Sequence, residues 1–311
     1  MKKKITITCI IILILIIVSE IYLRLYWGFC DTVLMQKSDK YEYIAQPNQN
    51  RFRFRKHINY NEFSMRSDSL SNNDKIRILG FGDSVINGGA ITDHDSLATT
   101  IIEKELANKY GYSIRCLNIS AGSWGPDNCY AYLEEHGDFD ADLIFLVLCS
   151  HDAYDNITFE EVVDVQPSFP SKQYLSAIYE LIDRYIIPRY IKSSSKAQND
   201  DPIAKGDIFN SGFLSFYNYT KQNEIPFFIY LHPTLSEVRN NCYDHQGDSI
   251  ISFCAEKEIS LIQGLFFEEE VDFRDKIHFN DKGQKKMADI LLPEIKKNID
   301  IILNKKTIDY E

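Results

Sequence analysis

Short apolar runs alternate with helical patterns from about residue 75 onward. Five short, mainly apolar runs indicate strands, and they span residues 76–81, 114–119, 142–149, 226–231 and 259–262. The third is continuously apolar after Asp142, which is typical of a strand covered on both faces. Apolar spacing or an opening proline predicts helices between and after them, over residues 95–110, 126–136 and 281–297. Strands that alternate with helices predict a three-layer α/β fold, in which about five parallel strands form a doubly wound sheet. Such sheets place their functional groups at the carboxyl ends of the strands.

The first thirty residues have a different pattern. Three lysines at positions 2–4 precede an uncharged run over residues 5–18, and apolar residues resume after Glu20. Counted through Leu23, the segment has about 19 residues, which is enough for a helix to cross the hydrocarbon of a membrane. We predict an uncleaved signal anchor at residues 1–30, with the lysines in the cytoplasm and the rest of the chain extracytoplasmic, in the periplasm or at the cell surface. A cleaved signal peptide is the alternative.

The remainder of the chain divides into an arm and a domain. Residues 31–74 are polar and irregular, and they predict a stalk with an arm that packs on the domain. Residues 75–303 hold the strand and helix pattern, which residues 153–206 interrupt. This interruption combines an aromatic helical pattern over about 172–191 with a polar stretch over 193–201. We expect it to be an insertion that covers one side of the site.

The composition is that of a globular protein with an acidic balance. Hydrophobic residues make up 44% of the 311 residues and charged residues 25%, and the net charge is −11. No basic cluster follows the first residues, so no contact with nucleic acid is predicted, because phosphate binding needs grouped lysines and arginines. The seven cysteines include no C-x-x-C pair, and neither a metal site nor a cofactor is predicted. Cys116 and Cys149 are expected as buried thiols, and a bridge between Cys242 and Cys254 is left open.

Two short polar segments hold the candidate chemistry. Gly82, Asp83 and Ser84 directly follow the first predicted strand, where a serine becomes exposed at the carboxyl edge of the sheet. Asp275 and His278 precede the closing helix, and one turn can present both side chains so that the carboxylate orients the imidazole. A serine hydroxyl is a weak nucleophile and needs such a base. Each segment alone also fits a structural role, Ser84 as a helix N-cap and the second segment as a polar surface loop.

Together the two segments resemble the SGNH (GDSL-type) hydrolase family over roughly residues 76–292, and the chain looks like a membrane-anchored bacterial member. The resemblance rests on the Gly-Asp-Ser block at positions 82–84 and on the Asp-x-x-His block at positions 275–278. It implies the family's flavodoxin-like fold. It also implies that Ser84 is the nucleophile, His278 the general base and Asp275 the carboxylate that orients the base.

The same resemblance implies an oxyanion hole with one altered member. The Ser84 N–H is the first donor, and the loop after the second strand is similar to the family's second block, in which the N–H of Gly122 or of Ser123 fits the second donor. The family's third block usually reads Gly-x-Asn-Asp, whereas residues 149–152 here read Cys-Ser-His-Asp, so His151 takes the place of the asparagine. An imidazole can also donate an N–H to an oxyanion. The alternative is that His151 only braces its loop through Asp152 or Asp155.

Three further side chains are candidates for substrate binding: Trp124, Asp152 and His232. Resemblance to anchored family members implies a serine esterase that removes O-acyl groups, chiefly O-acetyl, from cell-surface polysaccharide. The expected partners are the acylated glycan, the membrane through the N-terminal helix, and a membrane acyltransferase or polysaccharide-assembly protein. Two alternatives stay open. One is an O-acetyltransferase that uses the same acyl-enzyme, and the other is a catalytically decayed protein that binds glycan or assists its assembly.

Overall fold

The computed structural model describes residues 2–191 and 206–308, and the polar stretch at residues 193–201 lies outside these ranges. The described strands are β1 (Met35–Ser38), β2 (Glu42–Ala45), β3 (Gln49–Arg53), β4 (Lys56–Tyr60), β5 (Ile76–Gly82), β6 (Ile114–Ser120), β7 (Leu143–Cys149), β8 (Phe227–His232) and β9 (Ser260–Gln263). The described helices are α1 (Lys2–Trp27), α2 (Ser84–Asn87), α3 (Ala98–Tyr110), α4 (Pro126–His136), α5 (Ala177–Leu181), α6 (Ile187–Ile191), α7 (Gly212–Gln222), α8 (Leu235–Asn240), α9 (His245–Glu256) and α10 (Asp281–Ile308).

A parallel sheet of five strands forms the middle of the domain, in the order β6-β5-β7-β8-β9. Its central strand, β7, is buried at every position, which is why its sequence is apolar without alternation. The predicted fold and its five strands are confirmed. In the register of the sheet, Gly82 of β5 lies beside Ser120 of β6, and Cys149 of β7 lies beside His232 of β8. The carboxyl ends of the strands therefore meet along one edge.

Helices cover both faces of the sheet and complete the three layers. On one face α3 packs against α10, and Ile102 and Leu291 join the apolar core there. On the other face α4 packs against α7, and Leu133 and Phe216 belong to the second core. Because both faces are covered, the edge at the carboxyl ends is the place where side chains of several strands can reach a ligand.

The N-terminal helix α1 stands apart from this core. None of its residues is buried, and within the described ranges it is the one helix that is long and apolar enough to cross a membrane. The expectation of a long apolar helix at the N-terminus is therefore confirmed.

Residues 31–74 contain regular structure that the sequence pattern did not predict. β1 and β2 form one antiparallel hairpin, and β3 and β4 form a second. Tyr43, Ile44, Ile58 and Tyr60 are buried and pack into the domain core. Each of these strands has only four or five residues, which is too short for an alternating pattern to stand out from the polar residues around it.

In the described part of the stretch between β7 and α7, residues 177–191 form a continuous helix in three parts. α5 passes through a π-helical turn over Ile182–Ile186 into α6. Its Glu180 is buried and forms an ion pair with Arg53 of β3, with 2.6 Å between the Glu180 Oε1 and the Arg53 Nη2. The helix is thereby joined to the second hairpin.

The seven cysteines are free thiols. Cys116 and Cys149 are buried, as the apolar strands around them predicted. Cys242 is exposed and Cys254 is buried, and the two do not form the bridge that the sequence left open.

Candidate active site

The turn after β5 presents Ser84 at the carboxyl edge of the sheet. β5 ends at Gly82, and α2 begins at Ser84. Asp83 caps this helix, because its Oδ1 accepts the Val85 N–H at 2.8 Å. The alternative role of Ser84 as the N-cap is therefore wrong, and its hydroxyl is available to another partner. A side chain at Gly82 would place its Cβ 2.4 Å from the Val147 carbonyl oxygen, so the turn requires glycine.

Ser84, His278 and Asp275 form one hydrogen-bonded chain. The Ser84 Oγ lies 2.8 Å from the His278 Nε2. The His278 Nδ1 lies 3.0 Å from each carboxylate oxygen of Asp275. An ionised carboxylate only accepts hydrogen bonds, so it keeps the imidazole proton on Nδ1 and leaves Nε2 to accept the serine proton. The structure thus brings the three predicted side chains together in the order that activates a serine.

The Asp275 carboxylate is fixed by its own loop. Its Oδ1 accepts the backbone N–H groups of Ile277 at 3.0 Å and of His278 at 2.8 Å. Partial burial alone would raise the pKa of the Asp275 carboxyl, but the two N–H groups and the neighbouring His278 ring outweigh it, and the pKa lies below its ordinary value. Asp275 therefore stays ionised at neutral pH and can stabilise an imidazolium beside it.

The Asp-x-x-His loop is held from several sides. It closes on itself, because the Arg274 N–H donates to the His278 carbonyl at 2.9 Å. The Arg274 guanidinium also donates to the carbonyl of Gly88, directly after α2, at 3.2 Å. The N–H of Leu235 in α8 donates to the Lys276 carbonyl at 2.8 Å. These contacts fix the position of the imidazole relative to the nucleophile.

His232 supports the same loop from inside the protein, and the prediction that it binds substrate is wrong. Its side chain is fully buried, and its Nε2 donates to the Ile277 carbonyl at 2.6 Å. Its Nδ1 lies 2.9 Å from the Glu268 carboxylate, which also accepts the Tyr230 hydroxyl. Burial would lower the pKa of His232, but the Glu268 carboxylate outweighs it, so the pKa is raised. The ring is a brace for the residue that precedes His278.

Glu268 and Tyr230 are supporting residues that the sequence analysis missed. Tyr230 and His232 are two positions apart in β8, so their side chains lie on the same face of the sheet. Two polar side chains on one face of an otherwise apolar strand were the available signal. Glu268 follows two phenylalanines in a segment without a helix or strand pattern, and nothing in the local sequence marks it.

The loop after β6 offers the two predicted backbone donors. The N–H groups of Gly122 and Ser123 do not donate to any atom of the described residues, and Ser123 has a φ of 60°. The Gly122 carbonyl accepts the Tyr43 hydroxyl at 2.7 Å. Because a trans peptide holds its C=O and N–H on opposite sides, this bond makes the Ser123 N–H point away from Tyr43. The first hairpin therefore orients a candidate oxyanion donor.

His151 lies in the turn that follows β7, and its ring is mostly buried. The Nε2 is 3.7 Å from the Asp152 Oδ1, which is beyond hydrogen-bond distance, and the Nδ1 has no partner among the described residues. Burial lowers the pKa of His151, so the ring is neutral at pH 7 and carries one N–H. A brace through Asp152 is not formed, and the ring keeps a donor for another acceptor.

Trp124 and Asp152, both predicted to bind substrate, are fully buried. The Trp124 Nε1 donates to the Tyr43 carbonyl at 2.9 Å, so the indole belongs to the core. The Asp152 Oδ2 accepts the Cys149 N–H at 2.7 Å, and its Oδ1 has no partner in the described part of the chain. Burial, with the Asp83 carboxylate nearby, raises the pKa of Asp152 well above its ordinary value. Both predictions are wrong because the local pattern did not reveal how deeply these side chains lie.

Three side chains have donor atoms close enough to share a metal ion. They are Asp83, His151 and Asp152, whose ligand atoms lie within 4.8 Å of one another. Carboxylates and imidazole are donors that divalent transition metals accept. All three are buried, and Asp83 and Asp152 each already accept a backbone N–H.

A polar cavity of about 250 Å³ opens beside His151. Its lining includes Ser150, His151, Thr234, Glu237, Tyr243 and Asp244. Hydroxyl and carboxylate groups dominate this lining, to which the described residues contribute no lysine or arginine. Such a wall favours a ligand that is rich in hydroxyl groups over a long acyl chain or an anion.

Comparison with known proteins finds similarity in structure but not in sequence. No family model and no curated protein matches the chain. The chain is similar to the crystal structure of TesA, with 14% identity, 71% of this chain and 99% of that chain covered, and a TM-score of 0.44. It is also similar to a lipase/acylhydrolase from Enterococcus faecalis, with 10% identity, 71% of this chain and 96% of that chain covered, and a TM-score of 0.43. A third similar structure is a mutant of Axe2, an acetyl-xylooligosaccharide esterase from Geobacillus, with 12% identity, 73% of this chain and 96% of that chain covered, and a TM-score of 0.40. These identities and TM-scores are too low to decide the family or the substrate.

Proposed function

We propose that the protein is a membrane-anchored serine esterase that removes O-acyl groups, chiefly O-acetyl, from cell-surface polysaccharide. The observation that carries the esterase proposal is the 2.8 Å contact between the Ser84 Oγ and the His278 Nε2, with Asp275 on the other ring nitrogen. A serine hydroxyl gains a general base in this arrangement, and the base gains an orienting carboxylate.

In the first step the Ser84 Oγ forms a bond to the ester carbonyl carbon while its proton passes to the His278 Nε2. Negative charge develops on the carbonyl oxygen. The N–H groups of Ser84 and of Gly122 or Ser123, together with the neutral His151 ring, are the proposed donors to this oxyanion. Asp275 stabilises the imidazolium that forms.

In the second step the ester C–O bond breaks, and His278 returns the proton to the sugar oxygen that leaves. The acyl group is then bonded to the Ser84 Oγ. A water molecule attacks this acyl-enzyme as His278 accepts its proton. The second tetrahedral intermediate collapses, the carboxylic acid leaves, and the proton returns to Ser84.

The proposed substrate class rests on the cavity beside His151, on the net charge and on the anchor. The cavity beside His151 is polar and accommodates hydroxyl groups better than a long acyl chain. The net charge of −11 disfavours a strongly anionic substrate surface. With α1 as an uncleaved anchor and its lysines in the cytoplasm, the domain is extracytoplasmic, where acylated glycan is the polymer that an esterase meets.

The proposal is tested with the full chain in detergent and p-nitrophenyl acetate as the substrate. Ser84→Ala should lower kcat/KM by about 10³-fold or more, because the acyl-enzyme no longer forms. Ser252→Ala, which removes an exposed hydroxyl from α9, is the matched control and should keep wild-type activity. Equal activity of Ser84→Ala and the wild type, at equal unfolding temperatures, would refute the esterase.

An acetylated oligosaccharide offered with a bare one separates the alternatives. Release of acetate alone indicates hydrolysis, and acetyl groups on the bare oligosaccharide indicate transfer from the same acyl-enzyme. A decayed site would form neither product. The intact hydrogen bonds among Ser84, His278 and Asp275 argue against decay.

A further inference from the structure

The helix formed by α5, the π-helical turn and α6 exposes apolar side chains and buries a charged one, which is the reverse of the usual arrangement. Its outward side is apolar, and we name the exposed apolar side chains there the seating face: Leu175, Tyr179, Ile182, Ile186 and Ile187. Leu175, two residues before the helix begins at Ala177, is 96% exposed, whereas the charged Glu180 on the inward side is fully buried. A helix that borders water normally presents its charged side outward and its apolar side inward. The reversal indicates that the outer side of this helix borders an apolar medium.

The buried charges prevent the helix from turning its apolar side inward. The Glu180 carboxylate is 2.6 Å from the Arg53 guanidinium and 3.2 Å from that of Arg184, and it also accepts the Cys30 N–H at 2.6 Å. The Arg53 Nη1 donates to the Gly28 carbonyl at 2.9 Å. Breaking such a pair would leave an uncompensated charge inside the protein, which is strongly unfavourable. The orientation of the seating face is therefore imposed by the fold.

Glu20 and Arg24 of α1 bind the start of α5 and so fix the position of α5 along the length of α1. The Glu20 carboxylate accepts the N–H groups of Ala177 at 2.8 Å and Ile178 at 3.0 Å, and Arg24 donates to the Leu175 carbonyl at 2.6 Å. With a rise of about 1.5 Å per residue, a span that enters the hydrocarbon just after the lysines has crossed about 30 Å near the level of Arg24. The seating face thus lies at the boundary between hydrocarbon and headgroups.

We propose that the seating face rests in the headgroup and acyl boundary of the bilayer that α1 crosses, with lipid as its occupant. The proposal rests on the proposed membrane anchoring of α1 and extends it. Tyr179 joins Tyr26 and Trp27 at a level where aromatic side chains are favoured, and the exposed Arg189 can reach lipid phosphate. The domain is then seated on the membrane in one orientation, and its substrate is reached near the membrane surface.

Brominated lipid tests this seating, because bromine quenches only tryptophan that it contacts. The full chain is placed in nanodiscs of phosphatidylcholine, with and without brominated acyl chains, as the wild type, Leu175→Trp and Phe266→Trp. Phe266 is a matched control, since it is exposed and apolar but lies after β9, outside the seating face. Trp27 and Trp124 are common to all three proteins, so their emission is subtracted.

The added emission of Leu175→Trp should fall in brominated nanodiscs, and that of Phe266→Trp should not. In an Ile182→Ser/Ile186→Ser background, which changes only exposed side chains, the quenching at position 175 should decrease. Equal behaviour of the two tryptophan variants would overturn the proposal, and so would a blue-shifted but unquenched signal at 175, which would indicate a protein partner or a second copy.

Two controls separate this proposal from those on which it depends. The Trp27→Phe variant reports on α1, because the emission it removes should be the part that brominated lipid quenches in the wild type. Quenching at Trp27 without quenching at 175 refutes the seating alone, and the absence of both refutes the membrane anchor. Hydrolysis of p-nitrophenyl acetate by the same nanodiscs reports on the esterase independently of either result.

Discussion

The two halves of the proposed site differ in how completely their polar groups are paired. On the proton-transfer side, Ser84, His278 and Asp275 form a continuous chain of hydrogen bonds. On the oxyanion side, the His151 Nδ1 and the Asp152 Oδ1 are buried without partners among the described residues. The first half is fully paired before substrate arrives, and the second half keeps an imidazole nitrogen and a carboxylate oxygen unpaired.

The difference follows from what each half must do. A proton relay works when its geometry is fixed in advance, and the loop contacts around His278 provide that. An oxyanion site must leave N–H groups for an oxygen that is present only during the reaction. Groups left unpaired in this way cost stability, because buried polar atoms without partners are unfavourable. Substitutions on the proton-transfer side should therefore cause the largest losses of activity. A substitution that removes an unpaired group on the oxyanion side should raise stability.

The largest effect in this comparison is expected from Asp275→Asn. The amide can donate to the His278 Nδ1, so the imidazole takes the wrong tautomer and no longer accepts the Ser84 proton. We expect kcat/KM for p-nitrophenyl acetate to fall by about 10³-fold or more, with the unfolding temperature little changed. Asp289→Asn, an exposed position on α10, is the matched control. A loss below about tenfold would show that the carboxylate does not orient the base.

The second effect concerns the oxyanion side and separates ring shape from hydrogen bonding at His151. His151→Phe keeps a ring but has no donor, and we expect kcat/KM to fall by about 10²-fold. His151→Asn supplies an amide N–H at the same position and should retain most of the activity. Steady-state kinetics of both variants at pH 7 make the measurement. If the phenylalanine variant were as active as the wild type, His151 would have no part in the oxyanion site.

The third effect tests whether the buried His232 affects catalysis by positioning the loop that carries His278. His232→Leu removes the donor to the Ile277 carbonyl, so the loop shifts and kcat should fall by about tenfold. KM should stay the same, because His232 is fully buried and touches no substrate. His232→Gln can still donate to Ile277 and should recover part of kcat. A folded leucine variant with the kcat of the wild type would reduce His232 to a purely structural role.

Some strands and site residues could be predicted from the sequence, and others could not. The central strand β7 was the most predictable, because every one of its positions is buried and its apolar run is unbroken. Ser84, Asp275 and His278 were predicted as a set because the Gly-Asp-Ser and Asp-x-x-His blocks together resemble those of the SGNH family, whereas each block alone also fits a structural role. The two hairpins of residues 31–74 were not predictable, since their short strands gain stability by packing on the domain and not from their own pattern.

Depth inside the protein was the property that the local sequence concealed. Trp124 and His232 follow predicted strands and were expected to face the site, but both turn into the core, where Tyr43 and Glu268 are their partners. These partners are distant in the chain, so only the tertiary structure reveals them. The same holds for the polarity of α5, which depends on the burial of Glu180 beside Arg53.

The smallest effect is a gain in stability from Asp152→Asn. In the unfolded chain the Asp152 carboxyl has its ordinary pKa of 3.8, and in the folded protein its pKa is well above that value. Above pH 3.8 the folded protein therefore binds more protons at this carboxyl than the unfolded chain does. Its contribution to stability is complete below that pH and is lost as the pH rises through the folded pKa. Asparagine does not titrate, it can still accept the Cys149 N–H through its Oδ1, and it carries no charge that the nearby Asp83 carboxylate could repel. We expect the free energy of unfolding to rise by on the order of 1 kcal/mol at pH 8 and by less at pH 5.

Urea unfolding at both pH values measures this gain, with the exposed Asp140→Asn as the matched control. A variant that is less stable than the wild type at pH 8 would mean that the buried carboxylate is compensated by a partner, and the contrast between the two halves of the site would be lost.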